Sequence, residues 1–492
     1  MRKNNFYTLL TNPFVILALL LVLFVFNSFD PLPNYDENLW SYIGRIWNRK
    51  GIPPYTGAVE NKTPGIFFLY AVSDFLFESN ILFIRLIGVI STLISTWTLY
   101  KICVKLHTKL AGVFCMYIFG LSMNWYLFCG SYFAHTEVFM IMFSIIGFYL
   151  IMKCSDIENM KWYLFLGGVS VGIGISFKQI AVTTFLALIF FFLIYSAIGF
   201  SIKEKLKGIF FLFLGCLTSI SLSYFILYFN DVSFYDYFEG AWLILLNSGS
   251  KAPNFKAYFD NFWNHLIVTK FIIFYLFIVL FLFQKELQQK PFFLAVILWF
   301  ALDFVGVIAS GYFYGHQIKQ VIPSLSIMAG IVMSNLTVNN FYLKSINPKL
   351  IIYIIVILFF PYIQTYLTTK FLFKPLDSSS KDMGAWIRDN TNETDFIYIL
   401  GSDEKLVSSL LESGRVSSSK YFNSIFITEE KHREIVYSDL LRKTPEIILK
   451  LKNDSVDVDQ VYGNQIKEFL ENEYVFFDKI SDLEIYKLNR NP

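Results

Sequence analysis

Eleven apolar runs constrain this chain more than any other feature, because each is long enough, or nearly so, to cross a bilayer. A helix needs about 20 mostly apolar residues to cross about 30 Å of hydrocarbon. The runs lie at roughly 11–29, 80–100, 110–128, 136–152, 162–177, 179–198, 208–228, 266–284, 292–310, 321–337 and 350–369. The 492 residues are 55% hydrophobic and 16% charged, which is too apolar for a soluble globular protein. The sequence therefore predicts a polytopic α-helical membrane protein with about eleven transmembrane helices.

The first apolar run follows Arg2 and Lys3 and has the position of a signal peptide. No small-residue cleavage site precedes Asp30, so we predict an uncleaved anchor. A shorter apolar stretch from Ile66 to Phe77 carries Asp74, and we predict that it lies in the membrane interface instead of crossing.

The orientation follows from the lysines, because cytoplasmic loops are enriched in positive charge. With the N-terminus in the cytoplasm, every inner loop is basic. The inner lysines are Lys101, Lys105, Lys109, Lys153, Lys161, Lys203, Lys205, Lys207, Lys285, Lys290, Lys344 and Lys349. This threading predicts a multi-pass protein of the cell membrane, with the loops 30–79 and 229–265 and everything after about 370 on the extracytoplasmic side.

The composition changes to that of a soluble protein after Phe373. Helix-like and β-rich stretches alternate there. The helix-like stretches are 381–388, 405–411 and 465–471, and the β-rich ones are 396–400, 446–449, 474–477 and 483–488. We predict two domains, a transmembrane domain at 1–372 and a small extracytoplasmic α/β domain at 373–492.

Several classes of function lack support in the sequence. A net charge of +3 gives no reason to expect nucleic acid as a partner, and none of the five cysteines stands in a C-x-x-C pair. We find no Walker A motif, dinucleotide fingerprint, G-x-S-x-G or H-E-x-x-H. The Gly-rich run 167–174 lies within an apolar span, where small residues allow close helix packing, so we do not interpret it as a phosphate loop.

Ionisable residues collect at the predicted outer ends of the spans, where charge indicates a functional site. Asp36 and Glu37 begin a stretch with apolar residues at helical spacing, which predicts a helix lying on the membrane with both acids at its positive N-terminal end. Capping of that helix is an equally good interpretation of the pair. His135, Glu137, Lys178 and His316 lie at other outer ends and are expected to converge with it. A carboxylate there can accept a proton from an acceptor, and a cation can hold a phosphate leaving group.

Short motifs along the whole chain resemble those of the GT-C glycosyltransferases of the protein O-mannosyltransferase and lipid A aminoarabinose transferase family. The residues that carry the resemblance are Asp36-Glu37, Gly51 to Tyr55, Asn61-Lys62-Thr63-Pro64, Arg85-Leu86, Thr136-Glu137, Phe177-Lys178-Gln179, Tyr314-Gly315-His316, Pro323, Trp386-Ile387-Arg388, Ile397-Tyr398-Ile399 and Ser413-Gly414-Arg415. The resemblance implies an inverting transfer of a sugar from a polyprenyl-phosphate donor to a glycan, lipid or protein acceptor outside the cytoplasm.

The resemblance also implies roles for single residues. Asp36 is the candidate general base with Glu37 in support, and Lys62 and Arg85 are candidates for the donor phosphate. Glu137 is the next candidate for the base and Lys178 for the phosphate, and His135 and His316 are candidates for acceptor or metal contacts. Whether a divalent metal ion binds among the carboxylates and histidines stays open, because ligand types alone do not decide it.

Two other classes of protein would also place ionisable groups near a lipid-linked saccharide. A transporter or flippase should show inverted repeats and charge near mid-membrane, where Asp303 is the main case here. A polymerase or ligase should show a large outer loop rich in Arg and His. The 229–265 loop instead offers acids and aromatics, which suit sugar stacking or an interfacial aromatic belt equally well.

Overall fold

The computed structural model describes most of the chain. The described residues are 9–29, 34–123, 134–154, 157–247, 255–268, 272–309, 314–338, 378–452 and 458–489.

Helices account for nearly all of the described structure before residue 339. In chain order they are α1 (Pro13–Ser28), α2 (Tyr35–Lys50), α3 (Gly65–Phe77), α4 (Ile81–Leu106), α5 (Lys109–Met123), α6 (Thr136–Ile151), α7 (Ile157–Phe177), α8 (Ala181–Phe191), α9 (Ile202–Tyr228), α10 (Phe234–Phe238), α11 (Ile244–Asn247), α12 (Phe255–Val268), α13 (Ile272–Leu282), α14 (Lys285–Gln288), α15 (Pro291–Ala309) and α16 (Ile322–Val338). Two π-helical segments, Phe192–Ser196 and Glu239–Leu243, and a 3₁₀ segment, Gly315–Val321, interrupt this series.

Five of the described helical segments are long and apolar enough to cross a membrane. They are Ile81–Leu106, Asn159–Phe177, Ile202–Tyr228, Pro291–Ala309 and Gly315–Thr337. Shorter apolar helices occupy the predicted runs near α1, α5, α6 and α8. The predicted run 350–369 lies outside the described residues, so the total of eleven spans stays a prediction.

The Gly-rich run of α7 packs directly against the backbone of α9. A Cβ atom on Gly168 would lie 2.0 Å from the carbonyl oxygen of Leu212, and one on Gly172 would lie 2.6 Å from that of Cys216. On the facing helix, a Cβ on Gly215 would lie 2.0 Å from the carbonyl oxygen of Phe165. These contacts confirm that the run serves helix packing, because only glycine permits such a close backbone approach.

The chain divides into two compact units, each built from segments that are far apart in sequence. Unit 1 is Met1–Asp30, Arg85–Ser223 and Ser250–Lys374, and unit 2 is Pro31–Ile84, Tyr224–Gly249 and Pro375–Pro492. Residues 31–79 of the first outer loop and 229–249 of the second therefore group with the C-terminal segment, whereas residues 250–265 group with unit 1. The physical reason is packing between segments far apart in sequence: the N–H of Val59 donates to the carbonyl of Lys420 at 2.9 Å.

The C-terminal segment forms a five-stranded mixed sheet with strand order β2-β1-β3-β5-β4. Its elements are α17 (Ser379–Asn390), β1 (Phe396–Leu400), α18 (Glu404–Ser413), β2 (Val416–Ser417), α19 (Glu430–Arg442), β3 (Ile447–Leu451), α20 (Val458–Tyr462), α21 (Asn464–Glu473), β4 (Tyr474–Ile480) and β5 (Leu483–Leu488). The parallel β1 lies between β2 and β3, and β5 pairs antiparallel with β3 and β4. Every helix and strand predicted after residue 373 is present within a few residues.

Helix α2 is enclosed by protein, although the sequence predicted a helix lying on the membrane. The apolar side chains of Leu39 and Ile43 are fully buried. A Cβ on Gly44 would lie 2.6 Å from the backbone of Tyr70 in α3. On the side of the C-terminal segment, Arg45 donates to the carbonyl of Leu411 at 2.7 Å. The amphipathic pattern therefore serves packing on two neighbours within unit 2.

Candidate active site

Helix α2 begins with the two acids, and they have different environments. The side chain of Asn34 accepts from the Glu37 N–H at 2.8 Å, and the Glu37 carboxylate accepts from the Asn34 N–H at 3.1 Å. This reciprocal pair is a capping box, and it uses the fully buried Glu37 carboxylate to satisfy the helix end. Asp36 lies in the same first turn but is half-buried. Of the two carboxylates, Asp36 is the more accessible.

The amine of Lys62 is held by its neighbours in sequence. Its Nζ lies 3.0 Å from Glu60 Oε1 and 2.6 Å from Asn61 Oδ1. Glu60 itself is buried, whereas the Lys62 side chain keeps 17% of its surface exposed. These contacts restrict the rotamers of the lysine and leave part of it accessible.

Tyr35, the first residue of α2, contacts the C-terminal segment. Its hydroxyl accepts from the side-chain amide of Asn423 at 2.5 Å. Burial raises the pKa of the Tyr35 hydroxyl, and the negative charges of Glu60 and then Asp36 raise it further. The carboxylates of Asp36 and of Glu60, which holds Lys62, therefore both raise the pKa of the Tyr35 hydroxyl. The start of α2 and the loop that carries Lys62 thus share an electrostatic environment.

A second cluster lies in unit 1, where the starts of α6 and of the 3₁₀ segment meet the end of α7. Glu137 forms an ion pair with Lys178, and His316 Nε2 lies 3.7 Å from the same carboxylate oxygen. The rings of His135 and His316 are 5.3 Å apart, centroid to centroid. Thr136 donates its hydroxyl to the other Glu137 oxygen at 3.0 Å. These four predicted site residues, His135, Glu137, Lys178 and His316, are therefore brought together.

Arg85 lies in α4 and contacts the end of α1. It is 1% exposed and donates from Nη1 to the carbonyl of Ser28 at 3.2 Å. Ser28 is the last residue of α1, so this contact connects the end of α1 to α4. An arginine at the C-terminal end of a helix also interacts favourably with its dipole.

The predicted site residues thus fall into two sets. Asp36, Glu37 and Lys62 belong to unit 2, and Arg85, His135, Glu137, Lys178 and His316 belong to unit 1. Glu60 was missed by the sequence reasoning, and its only signal was its position two residues before Lys62.

The described residues do not fit a metal site. Among them, no group of three His, Cys, Asp or Glu side chains converges to hold a metal ion. Glu137 and His316 lie close together, but the Lys178 ammonium contacts the carboxylate oxygen that faces His316. A lysine in that place supplies the positive charge that a cation would bring.

One segment of the chain matches a known protein family. Residues 61–225 match the model of the dolichyl-phosphate-mannose-protein mannosyltransferases. The segment begins one residue before Lys62 and ends within α9. It contains Arg85, His135, Glu137 and Lys178. No protein of curated function matches the chain significantly.

Solved structures are similar to the chain over nearly its whole length. ArnT from Cupriavidus metallidurans bound to undecaprenyl phosphate is 13% identical, with a TM-score of 0.64 over 97% of this chain and 98% of that one. The same enzyme in the apo state is 12% identical, with a TM-score of 0.65 over 96% and 97%. The Archaeoglobus fulgidus oligosaccharyltransferase in complex with Zn and sulfate is 12% identical, with a TM-score of 0.53 over 97% of this chain and 74% of that one.

These matches confirm the resemblance that the sequence motifs predicted. The chain is a multi-pass membrane protein with the fold of the GT-C glycosyltransferases. Its similarity extends both to ArnT, a lipid A aminoarabinose transferase, and to an archaeal oligosaccharyltransferase.

Proposed function

We propose that this protein is an integral-membrane glycosyltransferase that moves a sugar from a polyprenyl-phosphate donor to an acceptor on the extracytoplasmic side. The observation that carries the proposal is the agreement of two independent matches. The fold of ArnT covers 97% of the chain, and the mannosyltransferase model matches a segment that begins at the Lys62 motif. The acceptor is a hydroxyl or amine of a glycan, lipid or protein.

The proposed reaction is a single displacement with inversion. Asp36 accepts the proton of the acceptor O–H or N–H, and the acceptor atom forms a bond to the anomeric carbon. The bond between that carbon and the phosphate oxygen breaks, and the polyprenyl phosphate leaves with the electron pair. The dipole of α2 favours the ionised carboxylate that this step requires. The Asn34–Glu37 capping box orders the first turn and so positions Asp36.

Lys62 is the best supported of the three candidates for the donor phosphate. A positive charge there stabilises the leaving phosphate as its negative charge develops. Lys62 and Lys178 are each paired with a glutamate, but Lys62 is partly exposed, whereas Lys178 and Arg85 are buried. Arg85 and Lys178 therefore come after Lys62 in the proposal, and His135 and His316 remain candidates for acceptor contacts.

The proposal is tested with purified protein and a panel of radiolabelled polyprenyl-phosphate sugars. The expected result is donor-dependent release of polyprenyl phosphate together with transfer of label to an acceptor. The Asp36→Asn variant, purified in the same way, is the matched control. Equal release by wild type and variant, or no release from any donor in the panel, would contradict the proposal.

The two competing classes gain no support from the described residues. Asp303, the mid-span acid, is 1% exposed and accepts from Thr184 at 2.6 Å, Trp299 at 2.8 Å and Gln320 at 3.1 Å. An acid enclosed in this way stabilises helix packing and does not line a path for a solute. The polymerase or ligase class would use a large outer loop. In the second outer loop of this chain, two acids are paired with lysines of the C-terminal segment: Asp236 with Lys420 at 2.9 Å and Glu239 with Lys431 at 2.7 Å.

The side of the membrane on which the chemistry occurs has its own test. Single cysteines replace exposed lysines in a cysteine-free background, one at Lys479 in β4 and one at Lys203 in α9. We expect a membrane-impermeant thiol reagent to label the first in intact cells and not the second. The reverse labelling pattern would overturn both the topology and the proposed location of the reaction.

A further inference from the structure

Tyr55 has a backbone conformation that a tyrosine rarely adopts. Its φ is +69°, in the left-handed region that favours glycine. Its N–H donates to the carbonyl of Ala58 at 2.8 Å, which closes the turn that holds this conformation. Strained residues of this kind persist only where the surrounding structure over-determines them, and they cluster at functional sites.

The side chain of Tyr55 is wholly buried and reaches the backbone of Lys62. Its hydroxyl donates to the Lys62 carbonyl at 2.6 Å. Its ring packs edge-on against Phe67 of α3 and Tyr237 of α10, each with 5.8 Å between centroids. The ring therefore acts as a rigid spacer between the core of unit 2 and the loop that carries Lys62.

Gly240 of the second outer loop completes the seat of this ring. A Cβ atom on Gly240 would lie 2.5 Å from Tyr55 Cδ1. The backbone is π-helical at Glu239–Leu243, where the N–H of Ile244 bonds to the carbonyl of Glu239. Single π-turns within helices are found frequently at functional sites. The wider turn places a residue without a side chain against the tyrosine.

We propose that Tyr55, seated against Gly240, is a positioning residue that presents Lys62 to the phosphate of the lipid donor. The inference rests on the proposed function. It adds that phosphate binding by Lys62 depends on Gly240 in the second outer loop. Fixing the Lys62 carbonyl fixes the Cα from which its side chain projects. Precise binding of one phosphate requires this support, because a small displacement of the Lys62 amine from the phosphate weakens the affinity.

The test measures binding of undecaprenyl phosphate to the full-length protein in detergent, with undecaprenol as the phosphate-free probe. We expect Lys62→Ala to weaken undecaprenyl phosphate binding about ten- to a hundredfold. Tyr55→Phe removes only the hydroxyl and should weaken it about three- to tenfold. The double variant should bind like Lys62→Ala alone, because Tyr55 acts through Lys62. Undecaprenol binding should stay unchanged in all three.

Two further variants separate positioning from general destabilisation. Tyr474→Phe removes a matched hydroxyl that donates to the Pro445 carbonyl, also at 2.6 Å, within the C-terminal sheet. It should lower thermal stability about as much as Tyr55→Phe does and leave phosphate binding unchanged. Gly240→Ala keeps the Tyr55 hydroxyl but displaces its ring, and it should weaken undecaprenyl phosphate binding in the same direction. This variant carries the test if Tyr55→Phe does not fold.

The outcomes are distinguishable. If Lys62→Ala weakens binding and neither Tyr55→Phe nor Gly240→Ala does, the inference is wrong and the proposed function stands. The same holds if Tyr55→Phe weakens binding equally with Lys62 present and absent. If Lys62→Ala itself binds undecaprenyl phosphate like the wild type, the role of Lys62 in the proposed function fails and the inference fails with it.

Discussion

Asp36 and Glu137 occupy the same position in two different helices, and their surroundings differ. Each is the second residue of its helix, α2 or α6, near the positive end of the dipole. Glu137 is fully buried and paired with Lys178, while Asp36 is half-buried beside a neighbour that completes the helix cap. A carboxylate already neutralised by a buried lysine is a poor proton acceptor. We therefore propose Asp36 as the base and a structural role for the charge of Glu137.

Replacing Asp36 by Asn is expected to have the largest effect. The change keeps the shape and removes the basic lone pair, so turnover should fall about a hundred- to ten-thousandfold with little change in thermal stability. Steady-state release of polyprenyl phosphate measures the rate, and thermal unfolding in detergent measures the stability. Glu37→Gln is the control: glutamine can still accept from the Asn34 N–H, so its cost in rate should be smaller. If Asp36→Asn transfers sugar at the wild-type rate, the base must be sought at Glu137.

Breaking the buried ion pair should affect stability first. Glu137→Gln leaves the Lys178 ammonium buried without its counter-charge, and losses of this kind cost about 3–5 kcal/mol of unfolding free energy. Thermal unfolding in detergent should show a large decrease. The double variant Glu137→Gln/Lys178→Gln should recover much of it, because two amides can hydrogen-bond without charge. A Glu137→Gln protein of normal stability and abolished transfer would reverse the comparison and make Glu137 the catalytic acid or base.

Removing the Lys62 amine should weaken the use of donor by a smaller factor. Charge-assisted contacts to phosphate contribute about 1.5–3 kcal/mol, so the KM for the donor in the Lys62→Ala variant should rise roughly ten- to a hundredfold. Lys479→Ala, at an exposed position of β4, is the matched control and should leave KM unchanged. An unchanged donor KM for Lys62→Ala would move the phosphate role to Lys178 and so shift the chemistry toward the Glu137 cluster.

The smallest expected effect concerns His432, which is buried like Glu137 but is held neutral. Burial lowers the pKa of the His432 imidazole. Its Nδ1 accepts from the N–H groups of Thr428 and Glu429, both at 3.3 Å, and protonation there would break these bonds. Because the unfolded chain binds the proton more tightly, the unfolding free energy should fall as the pH drops through about 6.5.

Thermal unfolding at pH 7.5 and at pH 5.5 checks the His432 prediction. The wild type should lose more stability between the two conditions than His432→Gln does, because the variant has no group to protonate there. The same pH dependence in both proteins would show that His432 does not contribute to it.

Local sequence patterns predicted most of the secondary structure. Strand β5 begins and ends at the predicted residues, and α18 extends the predicted stretch by only one and two residues. The capping box of α2 illustrates what a pattern leaves undecided. An acid three residues after Asn34 is a capping signal and identifies Glu37, but it does not show that Glu37 is buried while Asp36 stays partly exposed. The apolar face of α2 also led to the prediction of a helix on the membrane surface. Such a face does not by itself show whether lipid or protein covers it.

The sequence by itself determined that the chain is a polytopic membrane protein, that its ionisable groups gather at span ends, and which motifs resemble the GT-C glycosyltransferases. Hydrophobic length, loop charge and short motifs are local properties, and a single sequence displays them. The tertiary structure alone decided which acids are paired and which helix is enclosed. Glu137 meets Lys178 41 residues away, and Tyr42 accepts from the Ser417 N–H 375 residues away. Contacts over such separations depend on how the helices pack, and no local pattern encodes them.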